Sequence, residues 1–162
     1  MKKLAHGFTL IELLVVVSII GILTTLVAAN LNSARARARD AARKSDVRNI
    51  STALRLYYND WGEYPPNCGG GGICGCGSGT GTQPVGLCSW GSSWTDGTTV
   101  YMSKLPADPQ TGTQEYFYSR DAAKTDEYIL SACLENKSDT AGVPGTAQNS
   151  SCDGGWVFVI QP

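Results

Sequence analysis

Residues 7–29 read GFTLIELLVVVSIIGILTTLVAA, and two letters in that stretch decide how the rest of the chain is organised. From Phe8 to Ala29 the run is almost wholly apolar and holds no proline. Its length matches the ~20 residues that cross a bilayer as a helix. Its only charge is Glu12. A carboxylate in a spanning helix costs roughly 2.5–3.5 kcal/mol at the centre, less near an edge, and is functional by default. The second letter is Gly7, which closes a short basic leader, MKKLAHG. A secretory signal is cut after its apolar core, at small residues. Here the core runs on into a further helical pattern without a turn signal. A plain signal anchor accounts for the span and for Lys2 and Lys3, but gives Gly7 and Glu12 no role.

A cut between Gly7 and Phe8 gives both a role. The mature chain then begins with an ammonium on Phe8, at the positive end of a helix dipole, a poor place for a cation. Glu12 lies four residues on, on the same face, and can neutralise it within one chain or between neighbours. Between neighbours the pair sets axial register, because a wrong register leaves a desolvated charge unpaired. The stretch KKLAHG/FTLIELLVVVSIIGIL resembles the class III leader and amino-terminal helix of type IV pilins and of the pseudopilins of type II secretion. Gly7, Phe8, Thr9, Leu10 and Glu12 stand in the family's places. The resemblance implies cleavage after Gly7 by a prepilin peptidase and N-methylation of Phe8. It also implies assembly through Phe8 and Glu12 with copies of itself and other pilins, on an inner-membrane platform. One departure matters. Many members carry a proline further along, where the helix melts in the filament. Residues 24–34, TTLVAANLNSA, hold none, so that behaviour is not carried over, although Gly21 could soften the helix.

Lys2 and Lys3 place the leader in the cytoplasm and everything after Ala29 outside. The run Arg35, Arg37, Arg39, Arg43 and Lys44 then falls on the outer side, against the charge rule. It is read as a solvated helix face, with lipid headgroups or acidic faces of neighbours as the alternatives. Nothing aromatic interleaves with these arginines and the formal net charge is −1, so nucleic acid is not expected as a partner. The helical pattern continues with Val47, Ile50, Leu54, Tyr57 and Trp61 at spacings of three and four, an apolar stripe that packs a head. Asp40 and Asp46 are read as filling other faces. Gly62 and Pro65 end the helix. One helix of about fifty residues, about 75 Å long, results.

Residues 1–7 are thus the leader, 8–29 the membrane or filament-core helix, 30–61 the spine of the head, and 62–162 the head itself. NISTALRLYYNDWGEYP, YMSKLPADPQTGTQEYFYS and DEYILSACLE also resemble, in order, the head of the major pseudopilin and its pilin relatives. Aromatic and β-branched runs bounded by turn residues predict strands at about Glu115 to Ser119, Tyr128 to Cys133 and Trp156 to Ile160. The expected fold is α+β, type IV pilin-like, with a small antiparallel sheet on the helix stripe. Pro106, Asp108 and Pro109 are read as turn chemistry alone.

Between helix and sheet, within residues 62–100, lies a glycine-rich stretch that supports neither helix nor strand for long. It holds Cys68, Cys74, Cys76 and Cys88. An even cysteine count behind a membrane segment reads as disulfides in an oxidising compartment. Cys74 and Cys76 are too close to pair comfortably, so each is expected to bond Cys68 or Cys88, with the choice open. Cys133 is expected to bond Cys152, closing a loop for roughly 3 kcal/mol in the entropy model. Trp90 and Trp94 are read as a local core.

His6 is the chain's one histidine and lies in the leader, so no Ser-His-Asp or Cys-His arrangement survives cleavage. Cys74-Gly75-Cys76 lacks a thioredoxin-like setting. Related pseudopilins carry a structural calcium in a loop between late strands. The oxygen donors here would be Glu135, Asn136, Asp139 and Asp153, but their spacing fits no EF-hand, and no cofactor is expected. The reading is a structural, non-enzymatic subunit of a type IV pilus-like filament, anchored by one pass in the cytoplasmic membrane with its head outside. The alternatives are a type II secretion pseudopilin and, from another class, a monomeric membrane-anchored binding module.

Overall fold

The computed structural model describes residues 7–79, 81–110, 116–145, 152 and 155–162. Its elements are α1 (Leu10–Trp61), β1 (Ile73–Cys76), β2 (Gly86–Cys88), β3 (Trp94–Thr95), β4 (Val100–Met102), β5 (Phe117–Ser119), β6 (Ile129–Cys133), β7 (Val143–Pro144) and β8 (Trp156–Ile160). The chain divides into two units. Met1–Arg37 holds the first part of α1, and Ala38–Pro162 holds the rest of it and every strand.

In the first unit the apolar side chains face outward, from Leu10 at 81% exposed to Val27 at 64%. The few hydroxyls in this stretch are satisfied by the helix itself. Ser18 donates to the Leu14 carbonyl at 2.8 Å and Thr24 to that of Ile20 at 2.8 Å. Thr25 donates to that of Ile22. The helix is long and apolar enough to cross a membrane, and hydroxyls satisfied in this way would suit hydrocarbon, where lipid offers no partner for a polar group.

In the second unit the stripe predicted from spacing is the core: Val47, Ile50, Leu54 and Tyr57 are wholly buried and Trp61 packs against them. The helix stops at Gly62, whose φ of 74° admits glycine most readily and whose amide donates to the Tyr58 carbonyl at 2.8 Å. An antiparallel four-stranded sheet, in the order β5-β6-β8-β7, supplies the other layer. Leu130 pairs with Tyr118 on one side and Ile160 on the other, so Tyr118, Leu130, Ala132 and Phe158 join the same core. The three predicted strands are therefore present; Glu115, the expected start of the first, lies outside the described residues.

The glycine-rich stretch corrects the sequence reading. It carries two short antiparallel pairs, β1-β2 and β3-β4, where no strand was expected. Disulfides Cys68–Cys74 and Cys76–Cys88 brace the first pair, and Cys133 is bonded to Cys152. Cross-links do here what strand propensity cannot. Trp94 is fully buried and donates its indole N–H to the Gly75 carbonyl at 3.2 Å. Tyr57 and Tyr101 lie against it at 5.6 Å each. Trp90 is half-buried, edge-on to Tyr116. Gly75 has a φ of 113°, and an added Cβ would sit 3.0 Å from the Tyr57 ring. Gly75→Ala is expected to destabilise the head by roughly 1–3 kcal/mol, read as a lower midpoint in denaturant.

Candidate functional site

Two sets of residues stand out, one in each unit. The first is the start of α1. Thr9 precedes the helix, and Glu12 is the acidic residue of its first turn. The Thr9 amide donates to Glu12 Oε2 at 2.9 Å, and the Thr9 hydroxyl donates to the same oxygen at 2.7 Å. The Glu12 amide donates back to Thr9 Oγ1 at 3.3 Å. This is a capping box, in which threonine and glutamate three apart satisfy each other's free backbone donors. Sequence reasoning assigned Glu12 only to the Phe8 amine. The T-x-x-E spacing was the available signal for its second role. Phe8 is 78% exposed. A Cβ on Gly7 would meet nothing within 4 Å and its φ is not in the left-handed region, so the fold itself does not require glycine there.

The second set is built around Arg43, and it overturns the reading of a solvated face for Arg39, Arg43 and Lys44, though not for the exposed Arg35 and Arg37. Arg43 is completely buried. Its Nε donates to Asp108 Oδ2 at 2.7 Å and its Nη2 to Asp108 Oδ1 at 3.0 Å. Its Nη1 donates to Asp40 Oδ1 at 3.0 Å and to Glu135 Oε1 at 2.8 Å. Arg39 makes its own two-pronged pair with Glu135, at 2.7 and 2.5 Å. Lys44 reaches Asp139 at 2.5 Å. Asp40, also buried, accepts the backbone amides of Glu135 and Asn136 at 3.0 and 2.8 Å. Asp46 accepts the Tyr116 hydroxyl at 2.6 Å. Asp40 and Asp46 are thus tied to the head rather than filling free faces, and Asp108 is an ion-pair partner as well as a turn residue. A fork to Asp108 and a further bond to Glu135, both from the Arg43 guanidinium, bind the segments after β4 and β6 to the helix, which a lysine could not do.

These contacts set the charges. Arg39 and then Arg43 hold the Glu135 carboxyl down to about 2, against burial that would raise it. Burial works against the Arg43 charge, but Asp108 and Glu135 outweigh it and hold the guanidinium firmly protonated. Lys44, helped by the Ala141 amide, lowers Asp139. A carboxyl with a depressed folded value stabilises the fold above its ordinary value, near 4.5 for Glu135, and that contribution fades as pH falls towards 2. Thermal melts between pH 6 and pH 2 should therefore show Glu135→Gln less stable at pH 6, with a shallower fall in acid.

Three of the four oxygen donors weighed for calcium are otherwise engaged. Glu135 and Asp139 each hold a cation, and the Asn136 side chain accepts the Ser138 amide. Asp153 lies outside the described residues. Among the described residues no group of three or more His, Cys, Asp or Glu is placed to hold a metal ion.

A long amino-terminal helix, apolar in its first part and capped by Glu12, with a disulfide-braced α+β head, defines a pilin-type subunit. The family description "Prokaryotic N-terminal methylation motif" matches residues 2–28. Type II secretion system core protein G of Pseudomonas aeruginosa is 32% identical over 155 residues, covering 96% of this chain and 97% of that protein. Core protein G of Escherichia coli is 41% identical over 60 residues, covering 37% of this chain and 41% of that protein. The type IV major pilin PilA of Myxococcus xanthus is 36% identical over 59 residues, covering 36% of this chain and 27% of that protein. No solved structure matches significantly. The chain belongs to the type IV pilin and type II secretion pseudopilin family, whose members are structural, non-enzymatic subunits.

Proposed function

We infer that the chain is a pseudopilin of a type II secretion system, cut after Gly7, methylated on Phe8 and polymerised through its amino-terminal helix. The observation that carries this is the likeness to core protein G along nearly the whole of both chains. The pilin match, by contrast, covers about a third of this chain. The secretion alternative thus takes precedence over the surface-pilus reading. Cleavage is supported by Gly7, a glycine that no contact among the described residues calls for. The partners are other pseudopilins, a prepilin peptidase, an assembly platform in the inner membrane, and the bilayer before assembly. The single pass leaves the head outside the cytoplasm.

Two measurements test this. The intact mass of the membrane-extracted protein should lack Met1 to Gly7 and carry one added methyl group; retention of the leader would sink the processing claim. Disruption of the gene should stop the release of exported proteins into the medium and leave surface filaments in place. Loss of surface filaments with secretion intact would restore the pilus reading.

A further inference from the structure

The basic run splits in two. Arg39, Arg43 and Lys44 are all engaged by carboxylates. Arg35 and Arg37 are exposed, and among the described residues no carboxylate pairs with either. They lie in the first unit, which once the leader is gone holds a single acidic residue, Glu12, set against the new amino terminus. Unpaired arginines just beyond the outer end of a span oppose the usual charge bias and work against its insertion. A favourable partner on that side would offset this.

The partner's chemistry follows from position. A core about 30 Å thick takes about 20 residues of helix, and the headgroup layer adds about 5–8 Å on each side. Counted from Phe8, the core ends near Val27. Arg35 and Arg37 then lie about 12 and 15 Å further along the axis. Helical side chains lean towards the amino terminus, here back towards the bilayer, and arginine stems snorkel over several ångströms. A shallow apolar groove lined by Leu23, Leu26, Val27, Asn30, Leu31 and Ala34 runs along the same stretch. Arg35 follows Leu31 by four residues and Arg37 follows Ala34 by three, so the two flank the outer end of that groove.

We propose that the first unit binds an anionic phospholipid of the bilayer it crosses, with an acyl chain along the Leu23–Ala34 groove and the phosphate at the groove's outer end, where Arg35 and Arg37 reach round to it from opposite edges of the helix. The site holds the unassembled subunit at a fixed depth, and the lipid leaves when the subunit enters a filament. This rests on the reading that the first unit spans a membrane.

The test uses the full processed chain in nanodiscs of phosphatidylcholine and phosphatidylglycerol in equal amounts, with retained lipids counted by native mass spectrometry. Wild type should keep phosphatidylglycerol in preference, by roughly fivefold per arginine, and the preference should vanish in the R35Q/R37Q double variant. Equal retention of both lipids by wild type, or an unchanged preference in the variant, would overturn the site. Unchanged lipid retention with failed filament assembly would assign the arginines to carboxylates of a second copy instead. A wild-type chain that alkaline carbonate strips from membranes would sink the membrane reading itself, and the site with it.

Discussion

Arg43→Met is expected to lower the melting temperature of the protein by on the order of 10 °C or more, from a loss of roughly 3–5 kcal/mol. The size follows from what is left behind. Without Arg43, the buried Asp40 and Asp108 lose their cation, and Glu135 retains only Arg39. Methionine fills most of the volume, so the loss reads charge and hydrogen bonding rather than a cavity. Arg43→Lys separates the two: the charge stays, but the two-pronged pair with Asp108 cannot form, and an intermediate loss should follow. Melts of the detergent-solubilised chain would check both. A Met variant as stable as wild type would mean that Asp40 and Asp108 are not held as buried charges, because a lost partner otherwise leaves an uncompensated charge behind.

The second large effect is at Glu12. Glu12→Ala should leave the protein in the membrane and cut filament yield by about a hundredfold or more, the size expected when a desolvated ammonium loses its partner. Alanine also removes the cap on Thr9, so it cannot apportion the loss. Glu12→Gln can, because glutamine still closes a capping box but carries no charge. If the Gln variant fails to assemble as fully as the Ala variant, the charge sets assembly. If the Gln variant assembles normally, Glu12 only caps its own helix, and a membrane-anchored module that does not polymerise through this contact becomes the better reading.

What could be read in the residues depended on how local the signal was. The stripe from Val47 to Tyr57 and the three aromatic strands announce themselves by periodicity, and they are the core. The pairs β1-β2 and β3-β4 did not, because glycine dominates there and the order comes from cross-links and from Trp94. The buried charges were hidden for a different reason. Arg43 sits in a run of basic residues, and its partners Asp108 and Glu135 are 65 and 92 positions away. One clue was available. Arg43 precedes Val47 by four, which places it on the apolar stripe rather than off it, with Asp40 three before. Opposite charges on the buried face of a helix predict a network. Glu12 was legible as an exception to its surroundings, and its capping role was legible only as a spacing.

The three cross-links have a consequence for how the protein is made. In chain order the cysteines bond first to second, third to fourth and fifth to sixth, with separations of 6, 12 and 19 residues. No bridge encloses or crosses another. For a head delivered across the membrane in chain order, each thiol meets its own partner before the next pair has emerged. An oxidant that simply joins consecutive thiols as they appear therefore reaches the native connectivity, with no need to undo a wrong bond.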